Sequence, residues 1–264
     1  MLHTTSSPVD KRVSSVRLGG RGWPASPRVT RPPRGRLAVT GDTPVPAGMR
    51  NEYAADLGLS ESDLAADWHA QFGRWFADAV ASGLPEPNAM VLGTADAAGR
   101  PSGRTVLLKG YDAQGFVLFT NHGSRKGVEA LANPYASLVF PWFPIQRQVV
   151  VAGRIEPVDR AETEAYFAIR PRGSQLGAWA SEQSRVIPDR AALDAGYRAA
   201  AERFADVDPV PAPSHWGGLR VRPETVEFWQ GRASRLHDRL RFRRTAPVPG
   251  PADDGRWVVE RLAP

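Results

Sequence analysis

The 264-residue sequence has no cysteine, which excludes a disulfide framework, a thiolate zinc site, an iron–sulfur cluster and a thiol nucleophile. No apolar run approaches the roughly 18 residues of a membrane span, and the N-terminus lacks the apolar stretch of a secretory signal. A soluble, cytoplasmic protein is expected. Catalytic signatures are also missing: there is no G-x-S-x-G elbow, P-loop or H-E-x-x-H, and His3, His69, His122, His215 and His237 show no paired ligand spacing. No metal is expected, and a serine triad is disfavoured.

Acidic residues are scarce only at the start. Positions 1–48 hold eight Lys and Arg against two Asp, and the remaining chain carries 26 of each sign, so the net charge of +6 sits entirely in that stretch. The neutral remainder argues against a nucleic-acid-binding globule. Residues 1–48 are rich in Pro, Gly, Ser, Thr and Arg, and their isolated apolar residues show no period. They cannot bury enough surface to offset the entropy of ordering and are expected to form a disordered tail. Pro24, Pro27, Pro32 and Pro33 would break any targeting helix there. Order is expected from about Met49.

What is present from there on is a mixture of short β-rich runs and a few helical patterns. Leu64, Trp68, Phe72, Trp75, Phe76 and Val80 recur at helical spacing, with Ser60 or Ser62 as N-cap and Gly83 and Pro85 as stop. Strands are predicted at Ala89–Thr94, Arg104–Lys109, Phe116–Thr120, Ala136–Trp142, Gln148–Glu156, Trp216–Val221, Thr225–Gln230, Leu240–Arg243 and Trp257–Arg261. Short Gly-containing links between the early runs favour antiparallel hairpins, because parallel strands need long crossovers. Helices are predicted from Asp159 to about Ile169, over about Val128–Asn133, and over about Asp189–Phe204. The pattern implies an α+β domain built on an antiparallel barrel.

Four segments concentrate charge where an anion could be held. Arg104 and Lys109 flank an apolar strand and, at period two, point to opposite faces. Thr120–Gly127 joins a strand to a helix with a hydroxyl, Arg125 and Lys126, a combination suited to a phosphate monoester, although at most one of the two cations can be buried. Tyr166 and Arg170 are spaced to share a helical face, with Ser174 beyond Pro171. Arg235, His237 and Arg239 would share one face if extended, next to the flat wall of Trp229. Each cluster taken singly also fits a solvated surface.

Taken in order, these residues resemble a known family. Arg104–Lys109, Gly123-Ser124-Arg125-Lys126, Phe140-Pro141-Trp142, Arg147-Gln148-Val149, Tyr166-Phe167 with Arg170-Pro171-Arg172, Ser174-Gln175-x-Gly177-Ala178-Trp179, Gln183-Ser184, Trp216-Gly217-Gly218, Val226–Gly231, Arg235–Arg239 and Arg261–Pro264 are similar to the pyridoxamine 5′-phosphate oxidase family. The likeness spans about Arg50 to Pro264. It implies an FMN-binding split β-barrel with flanking helices, acting as a homodimer with flavin at the subunit interface. It implies FMN contacts from Arg104, Thr105, Val106, Leu107, Leu108, Lys109, Phe119, Thr120, Arg125, Lys126, Gln148, Gln183, Ser184, Trp229 and Arg239. Phe119 stands where several relatives have Tyr, which removes a hydroxyl near the flavin.

The same resemblance implies that Lys109, Tyr166, Arg170 and Ser174 hold a substrate phosphate. Arg235, Leu236 and His237 would meet the pyridine ring, and Arg50, Asn51, Glu52 and Tyr53 would cover it. Arg235 and His237 are the candidate catalytic pair. His237 titrates in the range of a general base, whereas Arg235 stays cationic and would orient the ring. The implied reaction oxidises pyridoxamine or pyridoxine 5′-phosphate to pyridoxal 5′-phosphate with oxygen as acceptor and release of hydrogen peroxide. The alternative is a related split-barrel protein that uses flavin or deazaflavin without this activity.

Overall fold

The β-rich runs form nine strands among the residues described by the computed structural model, which are 52–53, 57–245 and 256–264. They are β1 (Ala89–Ala95), β2 (Pro101–Leu107), β3 (Gly110–Asp112), β4 (Gly115–Asn121), β5 (Tyr135–Trp142), β6 (Arg147–Pro157), β7 (Trp216–Gln230), β8 (Asp238–Arg244) and β9 (Trp257–Arg261). Every pairing is antiparallel, and the main path runs β2-β1-β5-β6-β7-β4-β3. β8 pairs with β7 and carries β9. The sheet curls, because the chain leaving β2 at one end of this order meets β4 near the other: the Lys109 N–H donates to the Val117 carbonyl at 2.9 Å. The expected α+β architecture on an antiparallel, barrel-like sheet is the one observed.

β7 organises the molecule. Its first half pairs with β4, from Trp216–Asn121 to Val221–Phe116, and its second half pairs with β8, while β6 runs along the other side from Leu219 to Gln230. The sequence predicts two strands here because Pro223 interrupts the run. The structure has one strand, with Pro223 opposite Gly153 beside the register shift at Ala152/Gly153, the kind of irregularity at which a strand tolerates proline. Gly153 is required at that shift: a Cβ there would lie 2.0 Å from the Arg222 carbonyl oxygen.

Five helices flank the sheet among the described residues: α1 (Trp68–Ala81), α2 (Arg125–Ala132), α3 (Arg160–Ala168), α4 (Arg172–Ala180) and α5 (Arg190–Arg203). α1 starts four residues later than the apolar spacing predicts, because Asp67 is extended and its carboxylate accepts the Ala70 N–H at 2.7 Å. Ser60 instead closes a single 3₁₀ turn, its N–H donating to Asp63. Trp68, Phe72 and Trp75 of α1 pack into the main core with Met90, Leu92, Phe116, Leu118, Leu138, Phe140, Val149, Val151 and Phe228. A second cluster, Leu176, Ala200, Phe204 and Val210, joins α4 to α5. The sequence reading contains neither α4 nor the three-residue β3. The expected onset of order at Met49, and the tail before it, lie outside the described residues.

Candidate functional site

The C-terminal end of β4 turns directly into α2, and this turn is where the first cations gather. Ser124 is extended, fully buried and caps α2, its hydroxyl accepting the Gly127 N–H. The first helical positions then divide as side-chain geometry demands: Arg125 points outward and Lys126 inward, with only 9% of the lysine exposed. The Lys126 ammonium meets neutral oxygens alone, Gln183 Oε1 at 2.9 Å and Ser124 Oγ at 3.3 Å. Among the described residues no carboxylate pairs with it, and burial together with Arg104 lowers its pKa. A buried ammonium left with neutral acceptors is suited to an anion.

These groups line a cleft of about 790 Å³. Arg104, Thr105, Val106, Leu107, Lys109, Phe119, Thr120, Arg125, Lys126, Gln183 and Ser184, all expected at the flavin, face it together, and so do Arg170 and Ser174 from the expected phosphate site. Arg104 and Lys109 were expected on opposite faces of one strand. Instead β2 ends at Leu107, the chain bends as Leu108 N–H bonds to Asn88 and Lys109 N–H to Val117, and both cations line the cleft. Leu108 itself is buried in the main core.

Sequence reasoning missed the carboxylate behind this wall. Glu129, on α2, accepts from Thr94 Oγ1 (2.6 Å), Arg125 Nε (2.8 Å), Arg104 Nη2 (3.2 Å) and the Ser102 hydroxyl. Burial alone would raise its carboxyl, but these four donors outweigh burial and hold it at about 2. Arg104 also donates to the Leu92 carbonyl, to Thr94 and to Ser102, which leaves Nε uncommitted among the described residues. The i, i+4 spacing of Arg125 and Glu129 was the available signal.

Across the cleft, three rings stack. Tyr166 lies on Phe119 with centroids 4.0 Å apart and 16° between planes, and Phe119 lies on Trp216 at 5.4 Å and 12°. Gly218 permits this, since a Cβ there would come within 2.9 Å of the Phe119 ring. The Arg170 guanidinium caps the stack 4.6 Å from the Trp216 centroid. α3 stops at Ala168, so Arg170 sits in the link to α4 instead of on the helical face the spacing implied, although Tyr166 remains within its electrostatic reach. Its Nη1 is buried with no hydrogen-bond partner among the described residues. Tyr166 faces a smaller adjoining pocket that also borders Lys109 and Phe119.

The remaining expected site residues gather elsewhere, at the far end of β7. Gln148, Trp229 and Arg239 are register neighbours on β6, β7 and β8. His237 lies 4.6 Å from the Trp229 ring centroid, and Tyr53 packs edge-on against both, at 5.8 Å from Trp229 and 5.6 Å from His237. The Arg235–Arg239 stretch is not extended as expected. Ala233–Arg235 forms a 3₁₀ turn in which Ser234 (φ 57°) and Arg235 (φ 62°) are left-handed, and β8 begins only at Asp238.

The three cations therefore do not share a face. Arg235 and Leu236 are exposed, whereas Arg239 is held by both Glu227 oxygens at 2.7 and 3.0 Å and by the Ala263 carbonyl. The His237 Nδ1 accepts the Arg232 N–H at 3.0 Å, and burial and Arg235 lower the His237 pKa. Asp238, next in sequence, takes the Leu59 N–H, Arg232 and Arg261. Glu52 is described and exposed, while Arg50 and Asn51 lie outside the described residues.

Comparison with known proteins places these two clusters in context. Residues 76–204 match the family model described as pyridoxamine 5′-phosphate oxidase, and residues 216–264 match the pyridoxine 5′-phosphate oxidase C-terminal dimerisation region. The chain is 74% identical over 228 residues to a pyridoxine/pyridoxamine 5′-phosphate oxidase of Salinispora arenicola, covering 86% of this chain and all of that protein. It is 57% identical to the protein of the same description from Frankia alni, over 91% of this chain and 97% of that one. Among solved structures, PhzG of Burkholderia lata, in complex with tetrahydrophenazine-1-carboxylic acid, is similar at a TM-score of 0.70 and 31% identity, over 80% of this chain and 99% of that one.

Proposed function

Because this chain belongs to the pyridoxamine 5′-phosphate oxidase family, we propose that it oxidises pyridoxamine or pyridoxine 5′-phosphate to pyridoxal 5′-phosphate, with oxygen as acceptor and hydrogen peroxide as by-product. The chain is an oxidase, and its cofactor is FMN. Bound FMN supplies the redox chemistry, accepting electrons from the substrate and passing them on to oxygen. The protein supplies position, charge and exclusion of water.

The observation that carries this reading is the pair of separate, anion-ready cation sites in one cleft. Lys126 is a buried ammonium bonded only to neutral oxygens among the described residues, and it shares the lining of the cleft with Arg125 on the first turn of α2, whose backbone dipole also favours an anion. We assign the flavin phosphate there, with Arg104, Thr105, Thr120, Gln183 and Ser184 completing the grip. Farther along the same cleft, against Trp216, Arg170 carries a buried Nη1 that lacks a partner among the described residues. We assign it the substrate phosphate, together with Lys109, Tyr166 and Ser174.

The second cluster, with Trp229, Gln148, Arg239, Arg235 and His237, belongs to the same reaction but cannot serve the same cleft from the same chain. Trp216 and Trp229 are the cleft-side and far-side aromatics of one strand. They lie roughly 40 Å apart along the strand at about 3.3 Å per residue, and none of Gln148, Trp229, Arg235, His237 and Arg239 is among the described residues that line the cleft. A second copy must bring its β7 end to the cleft of the first, as the match of residues 216–264 to a dimerisation region indicates. The enzyme is a homodimer in which each flavin is held by both chains.

The test is direct. Purified protein should show flavin absorption, run as a dimer by light scattering and convert pyridoxamine 5′-phosphate to pyridoxal 5′-phosphate with one peroxide per turnover. A flavin-loaded protein that leaves both phosphorylated substrates unoxidised would remove the proposed reaction, and an active flavin-loaded monomer would remove the shared site.

A further inference from the structure

We infer that His237 acts as a fixed Nε2–H hydrogen-bond donor and not as the proton acceptor of the reaction. The inference rests on the proposed function for the ligand that His237 meets, and on the local geometry for the state of its ring. A backbone N–H can only donate. The Arg232 N–H, 3.0 Å from His237 Nδ1, therefore requires a lone pair on Nδ1. A neutral ring with Nδ1 occupied in this way carries its proton on Nε2, and Nε2 has no lone pair to offer a substrate proton. To accept a proton the ring would have to do so at Nδ1 and break the bond to Arg232.

The surroundings hold that arrangement. Trp229 at 4.6 Å and Tyr53 at 5.6 Å restrict the ring from two sides. The Arg232 amide is placed by the same left-handed turn, Ser234 and Arg235, that keeps this stretch out of the sheet. Arg232 is anchored in addition by its side chain, whose Nη1 donates to Asp238 at 3.1 Å. Arg235 beside the imidazole is a cation, while the Asp238 carboxylate is already taken by Leu59, Arg232 and Arg261. Nothing in this set favours an imidazolium. Among the described residues Nε2 has no protein acceptor, which leaves it to an electron-rich oxygen or nitrogen of the bound ligand.

Two measurements test this. In histidine-labelled protein without ligand, nitrogen–proton correlation spectra at pH 8 should show the resonance that disappears in H237Q as protonated at Nε2 and bare at Nδ1. A ring protonated at Nδ1 would overturn the inference whatever the activity. In the holoenzyme, Gln places an amide N–H near the Nε2 position whereas Asn does not. H237Q should retain the rate of flavin reduction at saturating substrate within about threefold and H237N should lose about tenfold, the size of one hydrogen bond. Equal losses of about 10² or more in both variants would restore the general base. A wild-type enzyme that oxidises neither substrate would remove the proposed function and leave the spectroscopic result standing.

Discussion

Arg170, which lines the cleft, and Glu129, buried behind its wall, differ in what neutralises them. Arg170 has a buried nitrogen without a partner among the described residues, a cost that an arriving anion would recover. Arg170→Ala should raise the KM for pyridoxamine 5′-phosphate roughly ten- to a hundredfold, the worth of a charge-assisted hydrogen bond of about 1.5–3 kcal/mol, while flavin content measured by absorbance stays unchanged. Loss of flavin with an unaltered KM would reverse the two phosphate assignments. Glu129 is the opposite case, fully committed within the protein. Its carboxyl at about 2 lies below the ordinary value of 4.5, so its stabilisation is present above about pH 4.5 and drains away as pH falls toward 2. Between these limits that is on the order of 3 kcal/mol. Urea midpoints measured from pH 5 to pH 2.5 should fall for the wild type and fall distinctly less for Glu129→Gln. The cations of this wall were legible in the sequence as residue types in a strand-to-helix turn. Glu129 was not, because one acid in a helix says nothing of the Thr94, Ser102 and Arg104 donors that long-range pairing brings to it.

At the scale of elements, local chemistry was readable wherever it was strong. Asp159 and Asp189, where the two helices are predicted to start, cap α3 and α5, accepting from Glu162 and Ala192. The strands of the first hairpins fall within a few residues of the alternating runs that announce them. α4 went unread because Pro171 occupies its cap position with no side-chain hydrogen bond, and Gly173 and Gly177 dilute its helical signal. It forms because Leu176 packs against Ala200 and Phe204 of α5, a tertiary cause. The left-handed turn before β8 was unread for a related reason, since neither Ser234 nor Arg235 is a residue that ordinarily selects that conformation. For α1, the true N-cap is Asp67, so Asp67→Ala should cost about 1 kcal/mol in thermal or urea unfolding, whereas Ser62→Ala should cost little. Equal effects would return the helix start to the serines.

For the whole molecule, charge and assembly separate cleanly. The net +6 belongs to residues 1–48 and the remainder is balanced, so we propose that the first 48 residues are dispensable for catalysis. A protein beginning at Met49 should keep its flavin, its dimeric mass and its turnover within a few-fold, and lose most of its retention on a cation exchanger. Flavin loss on this truncation would assign the segment a part in the site. What the sequence could not display was that β7 is one strand carrying aromatics of both clusters, Trp216 and Trp229, because its partners lie so far away in the chain. The hairpins β1–β2, β3–β4, β5–β6 and β7–β8 close between neighbours, but β7 meets β4 across about 100 intervening residues and β6 across about 70. Such distant pairings are entropically late. Refolding should therefore stall at a set of preformed hairpins until β7 finds its register, and the wall on which Phe119 and Trp216 stack should be among the last parts of the monomer to exist. A flavin can bind only after that step, so it cannot guide the slow search; it can only trap the outcome and slow its reversal.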